Sequence, residues 1–163
     1  MKIDVIIPVY NSEKTIVKAI NSILSQSIDV EKIIVVDDCS IDNTKTIINR
    51  MQKDYSTILY KKNTLNLGAG NSRNIGLTLS KSRYVAFLDS DDYWNENHLM
   101  ELSKSLEENK WAIFAYSNYK YYLTKSNKYS NCSKFKERHN YKLQLRSTLI
   151  STPSVLIDKS RSG

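Results

Sequence analysis

The sequence predicts an α/β domain with a mainly parallel sheet flanked by helices. Short apolar runs alternate with stretches that carry apolar residues at helical spacing. The runs end in polar or acidic residues, so these gather on one edge of the sheet, where such folds bind ligands. The composition suits one globular domain with a real core: 163 residues, 40% apolar, 25% charged, four Gly and two Pro.

The elements follow in order. Residues 3–9 predict a buried strand. Residues 12–27 predict a helix with Ile16, Ile20, Ile23 and Leu24 on one face. Residues 32–36 form a second strand ending at Asp37 and Asp38. Residues 44–51 form a helix with Ile47, Ile48 and Met51 inward, and residues 57–60 a short strand. Residues 69–79 predict a helix bearing Ile75 and Leu79, residues 84–88 a strand, and residues 96–106 a helix with Leu99, Leu102 and Leu106 inward. The pattern then loosens. Residues 111–116 read as a strand, 119–129 as a hairpin turning at 124–127, 141–149 as a helix, and 153–157 as a final strand.

Charge is unevenly placed. The net charge is +7, yet residues 1–109 hold 13 Lys/Arg against 15 Asp/Glu, and residues 110–163 hold 11 against 2. A basic, Tyr-rich back suggests an anionic partner, either a membrane surface or nucleic acid. A solvated face accounts for it equally well. No apolar run approaches the roughly 20 residues needed to span a bilayer. The opening apolar stretch carries Asp4 and is too short for a signal peptide. Cys39 and Cys132 lack metal spacing and read as free thiols of a reducing compartment. His98 and His139 read as surface residues.

The strongest local signal is FLDSDD at 87–92, where an apolar run ends in Asp89, Asp91 and Asp92. Hard carboxylate oxygens suit Mg²⁺ or Mn²⁺, which keep waters and take up substrate phosphates. In extended backbone Asp89 and Asp91 share a face. Alternatively the acids cap the following helix. An EF-hand is excluded, because Trp94 stands where that loop needs Gly.

Four segments line up: PVYN at 8–11, VVDDCS at 35–40, NLGAGNSRNIGL at 66–77 and FLDSDD at 87–92. In this order they resemble family 2 glycosyltransferases, nucleotide-sugar-dependent enzymes with a Rossmann-like fold of GT-A type. The resemblance spans nearly the whole chain and is densest over the first 95 residues. It implies that Pro8, Tyr10, Glu13, Asp37 and Asp38 hold the base and ribose of a donor, with UDP favoured because it is common in the family. Asn66, Gly68, Arg73, Asn74 and Gly76 match a second family stretch, in which Arg73 would face the diphosphate with its planar fork of donors. Asp91 would be the metal ligand, with Asp89 beside it or on the ribose. The implied cofactor is Mn²⁺ or Mg²⁺, the implied acceptor a glycan or lipid-linked hydroxyl, and the reaction inverting.

The resemblance thins toward the end. Family members carry a later acidic residue as general base, whereas only Glu137 and Asp158 follow residue 110, and neither lies in that motif. The expected organisation is one domain, with residues 1–110 binding donor and residues 111–163 beginning an incomplete acceptor side that stops short at the C-terminus. The expected function is sugar transfer in bacterial surface polysaccharide or glycan synthesis. The alternative is a non-catalytic donor-binding fragment, or a basic module binding an anionic membrane surface or nucleic acid. For the glycosyltransferase reading, nucleic acid is not expected as partner. The expected setting is cytoplasmic, peripheral at the inner membrane face.

Overall fold

A computed structural model describes residues 1–123, 127–131 and 150–161. The elements are β1 (Ile3–Val9), α1 (Ile16–Leu24), β2 (Lys32–Asp37), α2 (Thr44–Asp54), β3 (Ile58–Lys62), α3 (Ala69–Leu79), β4 (Tyr84–Phe87), α4 (His98–Glu108), β5 (Phe114–Tyr116), β6 (Lys120–Leu123), β7 (Lys128–Asn131) and β8 (Val155–Asp158). Six strands form one sheet in the order β3-β2-β1-β4-β8-β5, and β6 and β7 pair separately. The expected helix over 141–149, and most of the hairpin turn, lie outside the described residues.

β1 is buried along its whole length because it is central. It runs parallel to β2 on one side, with Val9 opposite Asp37, and parallel to β4 on the other, with Ile6 opposite Phe87. Its side chains alternate between two cores. Ile3, Val5, Ile7 and Val9 pack with Ile16, Ile20 and Ile23 of α1, Ile48 of α2, and Leu99, Leu102 and Leu106 of α4. Ile6 faces the other way, with Ile34, Val36, Val85 and Phe87, under Ile75, Leu77 and Leu79 of α3. Each buried aliphatic side chain contributes roughly 1.5–3 kcal/mol. A Cβ on Gly76 would stand 2.4 Å from Ile6 Cγ2. Glycine there lets α3 lie low on the sheet.

Asp4, only 1% exposed, holds the α3–β4 connection. It accepts Ser80 Oγ and Ser82 Oγ at 2.8 Å, and the N–H groups of Lys81 and Ser82 at 3.0 Å. Burial alone would raise its pKa, but these donors together hold it below the usual carboxylate range.

Two elements differ from expectation. α1 begins at Ile16 instead of residue 12; before it, Asn11 is left-handed, and the backbone N–H groups of Asn11, Ser12 and Glu13 are tied to Ser40, Thr44 and Asp42. The final strand is antiparallel and inserted between β4 and β5, an order that periodicity cannot reveal. It places Asp158 opposite Tyr84, at the start of β4. Asp158 is fully buried. It accepts Arg83 Nε at 3.0 Å and Nη2 at 2.7 Å, and pairs with Arg161 Nε at 2.9 Å.

Candidate active site

The carboxyl ends of β2, β1 and β4 stand side by side. Strand order reverses at β1 and β4, where open α/β sheets leave a crevice. Short polar contacts tie the three loops together. Asn11 N donates to Ser40 Oγ at 2.9 Å, Ser12 N to Thr44 Oγ1 at 2.8 Å, and the hydroxyls of Ser12 and Ser90 lie 2.8 Å apart. Asn11 and Cys39 adopt left-handed backbone, φ 49° and 71°. Each costs roughly 1–2 kcal/mol, and such strain concentrates at functional rims.

The first group of expected residues divides. Pro8 is buried within β1 beside Val36. Tyr10 is 51% exposed at the strand's end. Glu13 accepts Asn43 N and Nδ2, both at 3.0 Å, and so fastens the start of α2. Asp37 is fully buried, accepting Ser40 N at 2.7 Å and Tyr60 OH at 2.5 Å. Both contacts are internal. The Asp37 bond to Ser40 is local, reaching the backbone N–H three residues on.

Asp38 links the second strand to the third segment. Its Oδ1 accepts Asn63 Nδ2 and Leu67 N at 2.9 Å, and its Oδ2 accepts Gly68 N at 2.6 Å. Burial pushes this carboxyl up, but the donors from Leu67, Asn63 and Gly68 win and hold it below its ordinary value. Asn66 is exposed, and Gly68 takes φ 83° immediately before α3, a conformation that favours glycine. One turn into α3, Arg73 Nη2 donates to Asp89 Oδ1 at 2.5 Å. Its Nε is buried and has no hydrogen-bond partner. A chain of contacts therefore runs from Asp38 through Gly68 and Arg73 to Asp89, which brings the acids of β2 and β4 to one rim.

At the end of β4 the acids have different partners. Asp89 is held by Arg73. Asp91 is exposed and makes no hydrogen bond or ion pair among the described residues. Asp92 is raised above its usual pKa, first by loss of water around its carboxyl and then by the charges of Asp91 and Asp89. Asp91 and Asp92, without an ion-pair partner among the described residues, fit a divalent cation, which takes one or two carboxylates and completes its shell with water and phosphate. Among the described residues no three acids, histidines or cysteines already form a cage.

Several neighbours gave no clear signal in the sequence. Trp94 is buried and donates its Nε1–H to Pro153 O at 2.6 Å, tying the acidic loop to the last strand. His98, expected at the surface, is half-buried and stacked on Trp94 at 4.6 Å; burial pushes its pKa down to about 4. Cys39 is a free thiol, whereas Cys132, His139 and Glu137 lie outside the described residues. Asp158 stands at the opposite end of β4 from the acidic rim and is enclosed by arginines.

A mainly parallel α/β sheet with an acidic rim at its switch point defines an α/β domain with a candidate ligand site at the carboxyl ends of its strands. The Glycosyl transferase family 2 profile matches residues 4–158, and the chain belongs to that family. It is 37% identical over 164 aligned residues to the UDP-Glc:alpha-D-GlcNAc-diphosphoundecaprenol beta-1,3-glucosyltransferase WfaP of Escherichia coli, covering 97% of this chain and 61% of the relative. It is 32% identical to the putative teichuronic acid biosynthesis glycosyltransferase TuaG of Bacillus subtilis, covering 99% of this chain and 64% of that one. The chain thus spans under two thirds of the length of these relatives. The crystal structure of S. aureus TarS 1-349 in complex with UDP-GlcNAc is similar over 70% of this chain and 33% of that one, with TM-score 0.64 and 33% identity.

Proposed function

We propose that this chain carries the donor-binding part of a glycosyltransferase that moves a sugar from a nucleoside-diphosphate donor, UDP-linked, to a hydroxyl of a glycan or lipid-linked acceptor. Asp91 carries the reading: a carboxylate at the switch point, exposed and without a partner among the described residues, beside an Asp89 already held by Arg73. Family membership and the names of the similar proteins support the substrate class. The setting is bacterial surface polysaccharide assembly, in the cytoplasm at the inner membrane face.

Each residue has a task in this reading. Tyr10, exposed beyond β1, offers a ring face to the base. Asp38 fixes the loop at Leu67 and Gly68 and so aims Asn66 and Arg73. The Arg73 side chain is 23% exposed, so its accessible guanidinium N–H groups, and not the buried Nε, would meet a phosphate oxygen, and charge-assisted bonds of this kind are the strong ones. Pro8, Glu13 and Asp37 shape the wall, and Asp89 orients Arg73. Asp91, with Asp89 behind it, would hold Mn²⁺ or Mg²⁺, which supplies charge neutralisation for the diphosphate leaving group. Transfer is inverting, by direct attack of the acceptor hydroxyl, whose proton goes to a base other than the enclosed Asp158.

A thermal-shift panel of nucleoside diphosphates tests this. With Mn²⁺, UDP at about 100 times its Kd should add about 2.7 kcal/mol, raising Tm by roughly 5–10 °C. UDP without Mn²⁺ should do much less. No shift with any nucleotide would remove the donor reading.

One observation favours membrane contact as a second property. Trp111 is 84% exposed, and Ile113 and Phe114 are each 45% exposed. They lie at and just before the start of edge strand β5, beside a depression lined by Arg83, Tyr84, Glu107, Lys110 and Arg161, where both arginines also pair with Asp158. Aromatic residues flanked by cations suit the interface of an anionic bilayer. Among the described residues no helix is long and apolar enough to cross a membrane. Cosedimentation with phosphatidylglycerol vesicles should occur at low salt and fall steeply above about 0.15 M. Equal sedimentation with neutral vesicles would refute the charge argument.

A further inference from the structure

The β6–β7 hairpin lies beside the acidic rim. Tyr122 of β6 and Tyr129 of β7 are opposite each other in the register, so they share one face of the ribbon, with ring centroids 5.1 Å apart. That face is directed at the loop after Asp91 and Asp92: the hydroxyls of Tyr129 and Tyr93 lie 2.8 Å apart. Tyr93 is itself fixed by α1, whose Lys18 Nζ sits 3.4 Å from its ring centroid, a cation–π contact. Tyr122 and Tyr129 nonetheless remain 47% and 60% exposed. Two large rings are thus held in place beside the candidate metal ligand without being buried.

Burial does not explain these rings. A pyranose has one face of C–H bonds, which packs on the negative face of an aromatic ring; the hydroxyls are already engaged, Tyr122 with Asn127 and Tyr129 with Tyr93, so the ring faces are what the hairpin offers. The ammonium of Lys18 occupies one face of Tyr93, so Tyr93 serves as the anchor and the hairpin rings as the platform. Tyr93 follows Asp91 by two residues. A sugar resting on Tyr122 and Tyr129 would therefore sit on the side of the acidic loop where Asp91 stands.

We propose that Tyr122 and Tyr129, latched to the acidic loop through Tyr93, form a subsite for a sugar ring of the acceptor. This rests on the donor reading above and deepens it. The test is ligand-observed saturation-transfer NMR with UDP and Mg²⁺ present, using methyl glycosides of glucose, N-acetylglucosamine and galactose as probes. At least one glycoside should give a signal with the native chain. The double variant Y122A/Y129A should weaken its affinity by roughly tenfold, two stacking contacts' worth, while UDP binding is unchanged. Tyr121→Ala is the control for hairpin integrity, because Tyr121 lies on the opposite face of the same strand; it should keep the signal. The proposal is overturned if the double variant binds as the native chain does, if Tyr121→Ala loses binding equally, or if UDP binds and no glycoside does. A chain that binds neither UDP nor glycoside sinks this subsite and the donor reading together.

Discussion

Replacing Asp91 by Ala is expected to abolish Mn²⁺-dependent UDP binding while leaving the fold intact. Both halves follow from the same geometry. Asp91 is exposed and has no partner among the described residues, so its removal breaks no contact. Surface changes of this kind stay within about 0.5 kcal/mol. The variant even relieves Asp92, whose pKa Asp91 helps to raise. The functional cost is of another order: Asp91 would hold the cation that neutralises the diphosphate, so its loss should weaken UDP binding in Mn²⁺ at least about 100-fold. Calorimetry with UDP and Mn²⁺ measures it. Asp92→Ala is the comparison: it removes a carboxylate of equal charge one position on, and should leave most of the affinity. Equal heats for native chain and Asp91→Ala would place the metal elsewhere or dispense with it.

Much of this was legible because the strands carry their own signal. β1, β2 and β4 are apolar runs ending in polar residues, and α3 was expected at 69–79 and found as Ala69–Leu79. The convergence of acids on one rim follows from parallel topology alone, since all three strands point the same way. What could not be read is how each acid is spent. Asp37 and Asp38 are neighbours in sequence, yet one turns inward to Tyr60 and Ser40 while the other reaches across to Leu67 and Gly68. Those partners lie on other elements, and periodicity carries no information about them. The place of β8 was equally hidden, because nothing local distinguishes an antiparallel strand inserted beside β4 from one added at the edge. The role of His98 was missed for the same reason: its stacking on Trp94 is set by a loop conformation.

Asp158→Ala is expected to be the most destabilising single change at the far end of β4, and to leave UDP affinity untouched. Asp158 is fully buried and takes bonds from Arg83, Arg161 and Ser160. Through Arg161, which also donates to the carbonyls of Leu106, Asn109 and Ala112, it ties β8 to the end of α4. Removing one partner of a buried pair costs about 3–5 kcal/mol. Arg83 is half-exposed, so water takes up part of the loss and about 2–4 kcal/mol is expected. The pH dependence identifies the cause. Bonds from Arg83, outweighing the opposing effect of burial, bring the Asp158 pKa from 3.8 down to about 2. A depressed carboxylate stabilises the fold fully above its unfolded pKa and loses that contribution as pH falls through the folded one. The stability gap between native chain and Asp158→Ala should therefore be constant above pH 4.5 or so, narrow below about pH 4, and largely close near pH 2. Denaturant unfolding across that range reads it directly. If Asp158→Ala instead kept its stability and lost UDP binding, the buried pair would be misplaced and Asp158 would belong on the reactive rim.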